Sequence, residues 1–184
     1  EKAMALCDYI LEHDIQSSCV GNVKGAKPDG LLINRKDIDT LTISGFNITA
    51  MTLKCGGKVA TKVYQAGKQP FSGTQQEMAE GTYANTITNT VQFVVMEHSS
   101  DTAPDLFSLA NGEFVAIIPD KMGNYQVYGA EAGLHCSAQV RELYNDDTLA
   151  GWLVTMTEES ASYGNLFTTK TIFDNLQVAT SACQ

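Results

Sequence analysis

Residues 113–128 of the chain, EFVAIIPDKMGNYQVY, decide the fold class. Glu113–Pro119 is a β-prone apolar run that predicts a strand, and Tyr125–Tyr128 predicts a second strand that returns beside it. Asp120–Asn124 contains a glycine and predicts the hairpin loop between the two strands. Since a short loop joins antiparallel neighbours, the stretch indicates an antiparallel sheet.

The same alternation of β-prone runs and turns continues on both sides of this hairpin. Thr102–Asn111 interrupts it and predicts a short helix, with Thr102 as the cap, Pro104 in the first turn and Gly112 after the end. Further strands are predicted at Leu31–Ile33, Leu41–Ile43, Thr86–His98, Leu134–Leu143, Trp152–Thr157 and Phe167–Phe173, with an edge extension at Leu176–Val178. The sequence therefore predicts a mainly β protein: an antiparallel β-sandwich or barrel with one short flanking helix and long loops.

A glycine pair marks the clearest upstream turn. Gly56-Gly57 separates the alternating run Phe46–Lys54 from the β-prone run Lys58–Tyr64. Two-residue hairpin turns need positive φ, which glycine adopts without steric cost. The sequence therefore predicts a hairpin between these two runs.

The domain organisation follows from the breakers near the N-terminus. Ala3–Leu11 is compatible with a short helix, but Gly21, Gly25 and Pro28 end any continuation. We therefore expect an N-terminal arm over 1–29 and a single domain over 30–184. The first residues lack the basic start and apolar run of a signal peptide, and no stretch reaches the ~20 apolar residues of a membrane helix.

The segment Gln65–Gly81 is rich in glutamine and contains Gly67, Pro70 and Gly73, without a strong period. A loop of this length is uncommon in a compact domain unless it has a function. Two interpretations stay open: a surface loop, or an arm that orders against a neighbouring chain.

Charge and cysteine content limit the classes of function. The net charge of −9 disfavours binding to the outside of DNA or to an anionic membrane, although it suits a wall that DNA slides past. The five cysteines are odd in number and widely spaced, which predicts free thiols, with a Cys7–Cys19 disulfide as the main alternative.

Motifs for catalysis are missing from the sequence. It contains no nucleophile elbow, no phosphate-binding loop and no HExxH. His135 and Cys136 are neighbours on a predicted strand and point to opposite faces, so they cannot pair as base and nucleophile. The carboxylate pairs Asp146-Asp147 and Glu158-Glu159 are interpreted as solvated turns. We therefore expect no enzyme and no cofactor.

The order of strands and glycines over about residues 30–175 resembles a known layout. The matching features are, in chain order, Leu31–Asp39, Val91–Met96, Ser99–Asp101, Leu106–Ile118, Tyr125–Gly129, Gly133-Leu134 and Gly151–Thr157. This layout is similar to that of tail-tube-like virion structural proteins of tailed bacteriophages, especially phages of gut Bacteroidales.

The resemblance implies a β-sandwich or barrel that assembles into stacked rings around a lumen for genome passage. Its partners would be further copies of itself and other virion proteins, with DNA passing unbound and no membrane involved. Its location would be the virion, assembled in the host cytoplasm. The long loop would supply ring contacts through Gln69, Pro70, Phe71, Gln75 and Gln76, and no catalytic residue carries over.

Three alternatives to a tail tube remain. One is another virion component: a capsid decoration protein, a tail terminator or a connector ring. A second is a small metal-dependent hydrolase that uses His98, Asp101 and His135, in which case these residues converge in a pocket. A third is a carbohydrate- or peptide-binding β-sandwich, which the modest aromatic content of 8% supports weakly.

Overall fold

The computed structural model describes residues 24–54, 58–96, 99–161 and 166–178, and the side chains of 160 and 161 are not among the described parts. The expected helix at Ala3–Leu11, the Gly56-Gly57 turn, His98 and the cysteines at 7, 19, 55 and 183 lie outside the described residues.

Within the described residues, eleven strands form one mixed sheet, accompanied by two helices and a short 3-10 turn at Arg35–Asp37. The strands are β1 Asp29–Asn34, β2 Ile38–Ser44, β3 Asn47–Leu53, β4 Thr61–Tyr64, β5 Gln75–Ala79, β6 Thr86–Val95, β7 Glu113–Pro119, β8 Tyr125–Tyr128, β9 Leu134–Arg141, β10 Trp152–Ala161 and β11 Leu166–Thr168. The helices are α1 Ala103–Asn111 and α2 Lys170–Asn175. The prediction of a mainly β protein with a short helix is confirmed.

The sheet runs in the order β2-β3-β11-β8-β7-β9-β10-β6-β5, and β1 joins it by pairing with both β7 and β4. Every pair is antiparallel except β3 with β11, which meet in parallel at Asn47 and Phe167. The predicted β7–β8 hairpin is present, with Ala116 opposite Tyr128 and Pro119 opposite Tyr125.

Two hydrophobic cores lie on opposite faces of β1 and β7. On β7, Val115 and Ile117 point into the first core, whereas Phe114, Ala116 and Ile118 point into the second. Side chains alternate between the faces of a strand, so a strand buried on both faces needs the continuous apolar run that β7 has. The two cores therefore meet at β7, which separates them.

Each core has its own set of covering elements. The first core is closed by β2, β3, β8, β11 and α2, with Phe173 of α2 packed at a ring-centroid distance of 5.0 Å from Tyr125. The second core is closed by β6, β9, β10 and α1, with Leu106 of α1 buried in it.

The predicted hairpin around Gly56-Gly57 is wrong in its pairing. β3 pairs with β2 and β11, whereas β4 pairs with β1. The tight turn in this region is instead at Gly45, between Ser44 and Asn47, and Gly45 has a φ of +60°. Both glycine signals permit a turn, but only the β2–β3 turn buries Ile48 and Met51 in the first core.

Two further predictions need correction. Phe167–Phe173 is only briefly a strand, because Thr169 accepts a hydrogen bond from the Ile172 amide and starts α2. Leu176–Val178 follows α2 as a turn and not as an edge strand. β1 begins at Asp29, the last residue of the expected N-terminal arm, and Ala26 bridges to Asp120.

The cap of α1 also differs from the prediction. The Thr102 hydroxyl makes no cap hydrogen bond to the helix and accepts one from the Ser99 amide at 3.0 Å. The expected apolar face is only partly buried: Leu106 and Leu109 pack against the second core, while Phe107 is 72% exposed.

Candidate functional site

The five predicted assembly residues fall in three kinds of place. Gln69 is exposed in the segment before β5. Pro70 and Phe71 are buried, and Phe71 packs so closely on β1 that a Cβ at Gly30 would lie 2.6 Å from its ring. Gln75 and Gln76 belong to β5, which pairs with β6. The expectation of a free loop over Gln65–Gly81 is therefore wrong for the isolated chain, because this segment supplies a core side chain and an edge strand.

β5 forms one edge of the sheet. Its five pairs, from Gln75 opposite Thr90 to Ala79 opposite Thr86, run in continuous register. The backbone N–H of Gln92 donates to Thr74 Oγ1 at 3.2 Å, so the backbone groups of the even-numbered residues of β6 point toward β5. Backbone groups alternate in direction along an antiparallel ladder. Those of Gln76 and Met78, which lie opposite odd-numbered residues of β6, therefore point away from β6. Among the described residues, nothing pairs with that outer side.

The outer edge of β5 lacks several of the features that usually prevent strand addition. The strand contains no proline, no lysine and no bulge, and its one charged residue is Glu77. Met78 is 68% exposed, and Tyr83 in the following turn is fully exposed. The β2 edge at the other end of the sheet differs, because two register shifts interrupt its pairing with β3.

A cleft of about 1220 Å³ opens between β4, the end of β6 and α1. The Gln65 side chain closes the gap between the two strands: its amide donates to Val94 O at 3.0 Å and accepts from Val94 N at 2.8 Å. A glutamine side chain thus replaces the strand that would otherwise pair with the last residues of β6. The cleft therefore lies between β4 and β6, two strands that do not pair with each other.

Basic and acidic residues line this cleft in equal number: Lys36, Lys58 and Lys62, and Asp37, Asp105 and Glu113. Lys58 Nζ lies 3.9 Å from Asp37 Oδ2. Three exposed apolar side chains add to the lining: Tyr64, Met96 and Phe107. The cleft is therefore apolar in part, and its charged side chains balance.

The connection between β9 and β10 exposes apolar side chains on a well-defined backbone. Leu143 is 61%, Tyr144 94% and Leu149 69% exposed. Asn145 Oδ1 accepts from the Asp147 amide at 2.8 Å, which confirms the predicted turn at Asn145–Asp147. We call residues 142–151 the β9–β10 turn.

The charged groups are distributed unevenly along the chain. Residues 24–68 contain eight basic and three acidic residues, a net +5, whereas residues 69–184 contain three basic and fourteen acidic residues, a net −11. The first range supplies β1–β4, and the second supplies β5–β11 and both helices. Positive and negative charges are thus separated along the sequence.

Glu158 is a buried carboxylate that the sequence analysis missed. It is 1% exposed and accepts hydrogen bonds from the Asn89 side chain and from the amides of Gly129, Glu131 and Ala132, at 2.7–3.2 Å. The interpretation of Glu158-Glu159 as a solvated turn is therefore wrong for Glu158, whereas Glu159 is exposed. The carboxylate holds the β8–β9 connection and has no free coordination position.

Tyr128 has the one large pKa shift among the described groups. Burial, and secondly the negative charge of Asp120, raise the pKa of Tyr128 to about 12. Its hydroxyl donates to Gln126 Oε1 at 2.6 Å. The group is protonated at physiological pH and packs in the second core.

The residues considered for a hydrolase are not brought together where the structure describes them. His135 is exposed on β9, Cys136 beside it packs against the second core, and Asp101 is exposed before α1. No three His, Cys, Asp or Glu side chains among the described residues lie close enough to hold a metal ion.

In the described part of the chain, no helix is long and apolar enough to cross a membrane. No protein-family model, curated protein or solved structure matches the chain.

Proposed function

We propose that this chain is a self-assembling structural protein of a tailed-bacteriophage virion, most simply a tail-tube subunit whose rings stack around a lumen. Its partners are further copies of itself and other virion proteins. The open outer edge of β5 carries the proposal. An edge strand presents unpaired N–H and C=O groups, and a neighbouring chain satisfies them by adding a strand.

The chemistry of β5 supports assembly at this edge. Soluble monomers protect such edges with lysine, proline or bulges. β5 has none of these, and it exposes Met78 in its place. Gln75 and Gln76, two of the residues expected at a ring contact, lie on this strand.

The charge of the chain fits passage of DNA without specific binding. A net charge of −9 repels phosphates, so a lumen formed by such subunits does not hold the genome in place. The basic range 24–68 and the acidic range 69–184 also give neighbouring copies oppositely charged segments that attract one another.

The test compares the wild type with two matched variants. Met78→Lys puts a charge on the outer edge of β5, and Met122→Lys makes the same change at a methionine that is 60% exposed in the β7–β8 loop. Sedimentation velocity gives the mass over a range of concentrations, and negative-stain electron microscopy gives the shape.

We expect rings or tubes with a central hole from the wild type and from Met122→Lys, and monomers from Met78→Lys. A wild type that stays monomeric at all concentrations overturns the proposal. Compact oligomers without a hole favour a decoration protein, whereas single rings that never stack favour a terminator or connector. Assembly by Met78→Lys equal to that of the wild type excludes the β5 edge as the contact.

A further inference from the structure

We propose that Gln65 determines which edge of the sheet is open to association, because its side chain blocks strand addition between β4 and β6. The inference deepens the proposed function and rests on it: copies join at the outer edge of β5, and Gln65 prevents them from joining at a second edge. That second edge is the last part of β6, from Gln92 to Val95, which β5 does not cover.

The side of β6 that faces β5 continues beyond the end of their pairing. The pairing ends at Thr90. Further along, Thr74 Oγ1 accepts a hydrogen bond from the backbone N–H of Gln92 at 3.2 Å. The next backbone groups on this side are those of Val94, and the Gln65 side chain binds them. Within the described ranges, no strand pairs with this side of β6 after Thr90.

The Gln65 amide forms hydrogen bonds with both strands that border the gap. On the β6 side, Nε2 donates to Val94 O at 3.0 Å, and Oε1 accepts from Val94 N at 2.8 Å. On the β4 side, Nε2 donates to Tyr64 O at 3.2 Å. A side-chain amide has the donor and the acceptor of a peptide group. It therefore satisfies backbone groups that a strand lying between β4 and β6 would otherwise bind.

Gln65 is held in a fixed position. Its backbone N–H donates to Pro28 O at 2.8 Å, directly before β1. The residue is only 7% exposed, and Pro70 and Phe71 of the same segment are buried as well. The cap on β6 is thus part of the packed structure and not a freely moving surface side chain.

The edge beneath this cap is otherwise suited to strand addition. Residues 91–95, VQFVV, contain no charge and no proline, and they pair with β10 in continuous register, without a bulge. The cleft reaches Val94 and Val95, so the edge is accessible to another chain. An uncharged, β-prone edge with unpaired backbone groups binds further strands. Without Gln65, a strand from a second copy would pair with Val94.

The test uncovers this edge in a chain whose β5 edge is blocked. Met78→Lys is the background, and Gln65→Met is added to it, because methionine has the length of glutamine without its amide. The matched control adds Gln139→Met instead, which removes a half-buried glutamine that donates to Leu106 O at 2.9 Å between β9 and α1. Sedimentation velocity measures association, and hydrogen exchange measures protection of the Val94 amide.

We expect the background and the control to stay monomeric, and Met78→Lys/Gln65→Met to associate. The Val94 amide should exchange slowly in the wild type and at least roughly tenfold faster in the monomeric Gln65→Met chain, since it has lost its acceptor. Protection of Val94 should return when that chain associates, because the added strand supplies a new acceptor.

Three results overturn the inference: unprotected Val94 in the wild type, a Gln65→Met chain that stays monomeric, or association that leaves Val94 unprotected. The first result needs no variant, so the inference can fail even where Gln65→Met does not fold. Association of the control to the same extent also overturns it, because loss of any buried amide would then suffice. A wild type that never associates overturns the proposed function, and the exchange of Val94 then decides the role of Gln65 separately.

Discussion

Single residues in this chain make hydrogen bonds that their neighbours in the sequence do not indicate. Glu158 and Glu159 are adjacent and identical in type, yet one carboxylate is buried under four hydrogen bonds and the other is exposed. Gln65 lies in a polar segment and still makes the contact that spans β4 and β6. In both cases the partners are more than 25 residues away in sequence.

Replacing Glu158 with glutamine should destabilise the fold by about 3 kcal/mol. The amide nitrogen would face backbone N–H groups that now donate to a carboxylate oxygen, so at least one buried donor loses its acceptor. Glu159→Gln, the matched change on the exposed neighbour, should shift stability by no more than about 0.5 kcal/mol. Urea unfolding at neutral pH measures both; equal effects would contradict the role assigned to Glu158.

The raised pKa of Tyr128 predicts that the folded state loses stability at high pH. Its pKa is about 12 in the folded chain, whereas an exposed tyrosine has a pKa of 10.0. Between these values the folded state holds the proton and the unfolded state releases it, so stability is unaffected below pH ~10 and falls as pH rises towards 12, by at most about 3 kcal/mol. Tyr128→Phe should lose less stability between pH ~9.5 and ~11. If the free energy of unfolding fell equally with pH in the two proteins, the loss of stability would not come from the Tyr128 hydroxyl.

At the scale of elements, the turns decide which strands meet. Gly129 starts the β8–β9 connection that Glu158 holds, and Gly123 lies in the β7–β8 hairpin loop. Both glycines have positive φ, but only Gly129 is closely surrounded: a Cβ there would lie 2.7 Å from Leu134 Cγ and 2.7 Å from Phe114 O. A Cβ at Gly123 would meet nothing within 4 Å.

This difference predicts unequal effects of the same substitution. Gly123→Ala should cost about 1 kcal/mol from backbone strain alone, whereas Gly129→Ala should cost several kcal/mol, since its neighbours in β7 and β9 must also move. Thermal unfolding followed by circular dichroism compares the two variants. Similar melting temperatures would mean that the β8–β9 connection rearranges without cost.

At the scale of the whole molecule, two cores share the strands β1 and β7, and charge separates along the chain. Residues 24–68 are net positive and residues 69–184 are strongly negative. Oppositely charged segments of one chain can attract each other between copies. The β5 edge is the surface that we propose for contact between copies.

Self-association should therefore weaken as salt concentration rises. The Debye length falls from ~10 Å at 0.1 M to ~3 Å at 1 M, so attraction between the basic range 24–68 of one copy and the acidic range 69–184 of another is screened. We expect the association constant to fall at least roughly tenfold between 0.05 M and 0.5 M sodium chloride. Light scattering over a salt series measures it, and association that strengthens with salt would indicate a contact dominated by apolar surface.

The sequence by itself determined the mainly β class, the β7–β8 hairpin and the short helix α1, because these depend on local side-chain alternation, turn residues and helix end signals. Only the tertiary structure decided that β2, and not β4, pairs with β3, that Phe71 is buried and that Glu158 is enclosed. These outcomes depend on contacts between residues far apart in the chain, where burial of one side chain against another outweighs local preference. The resemblance to tail-tube proteins placed Gln75 and Gln76 at a contact surface, but their position on an edge strand depends on the long-range pairing of β5 with β6.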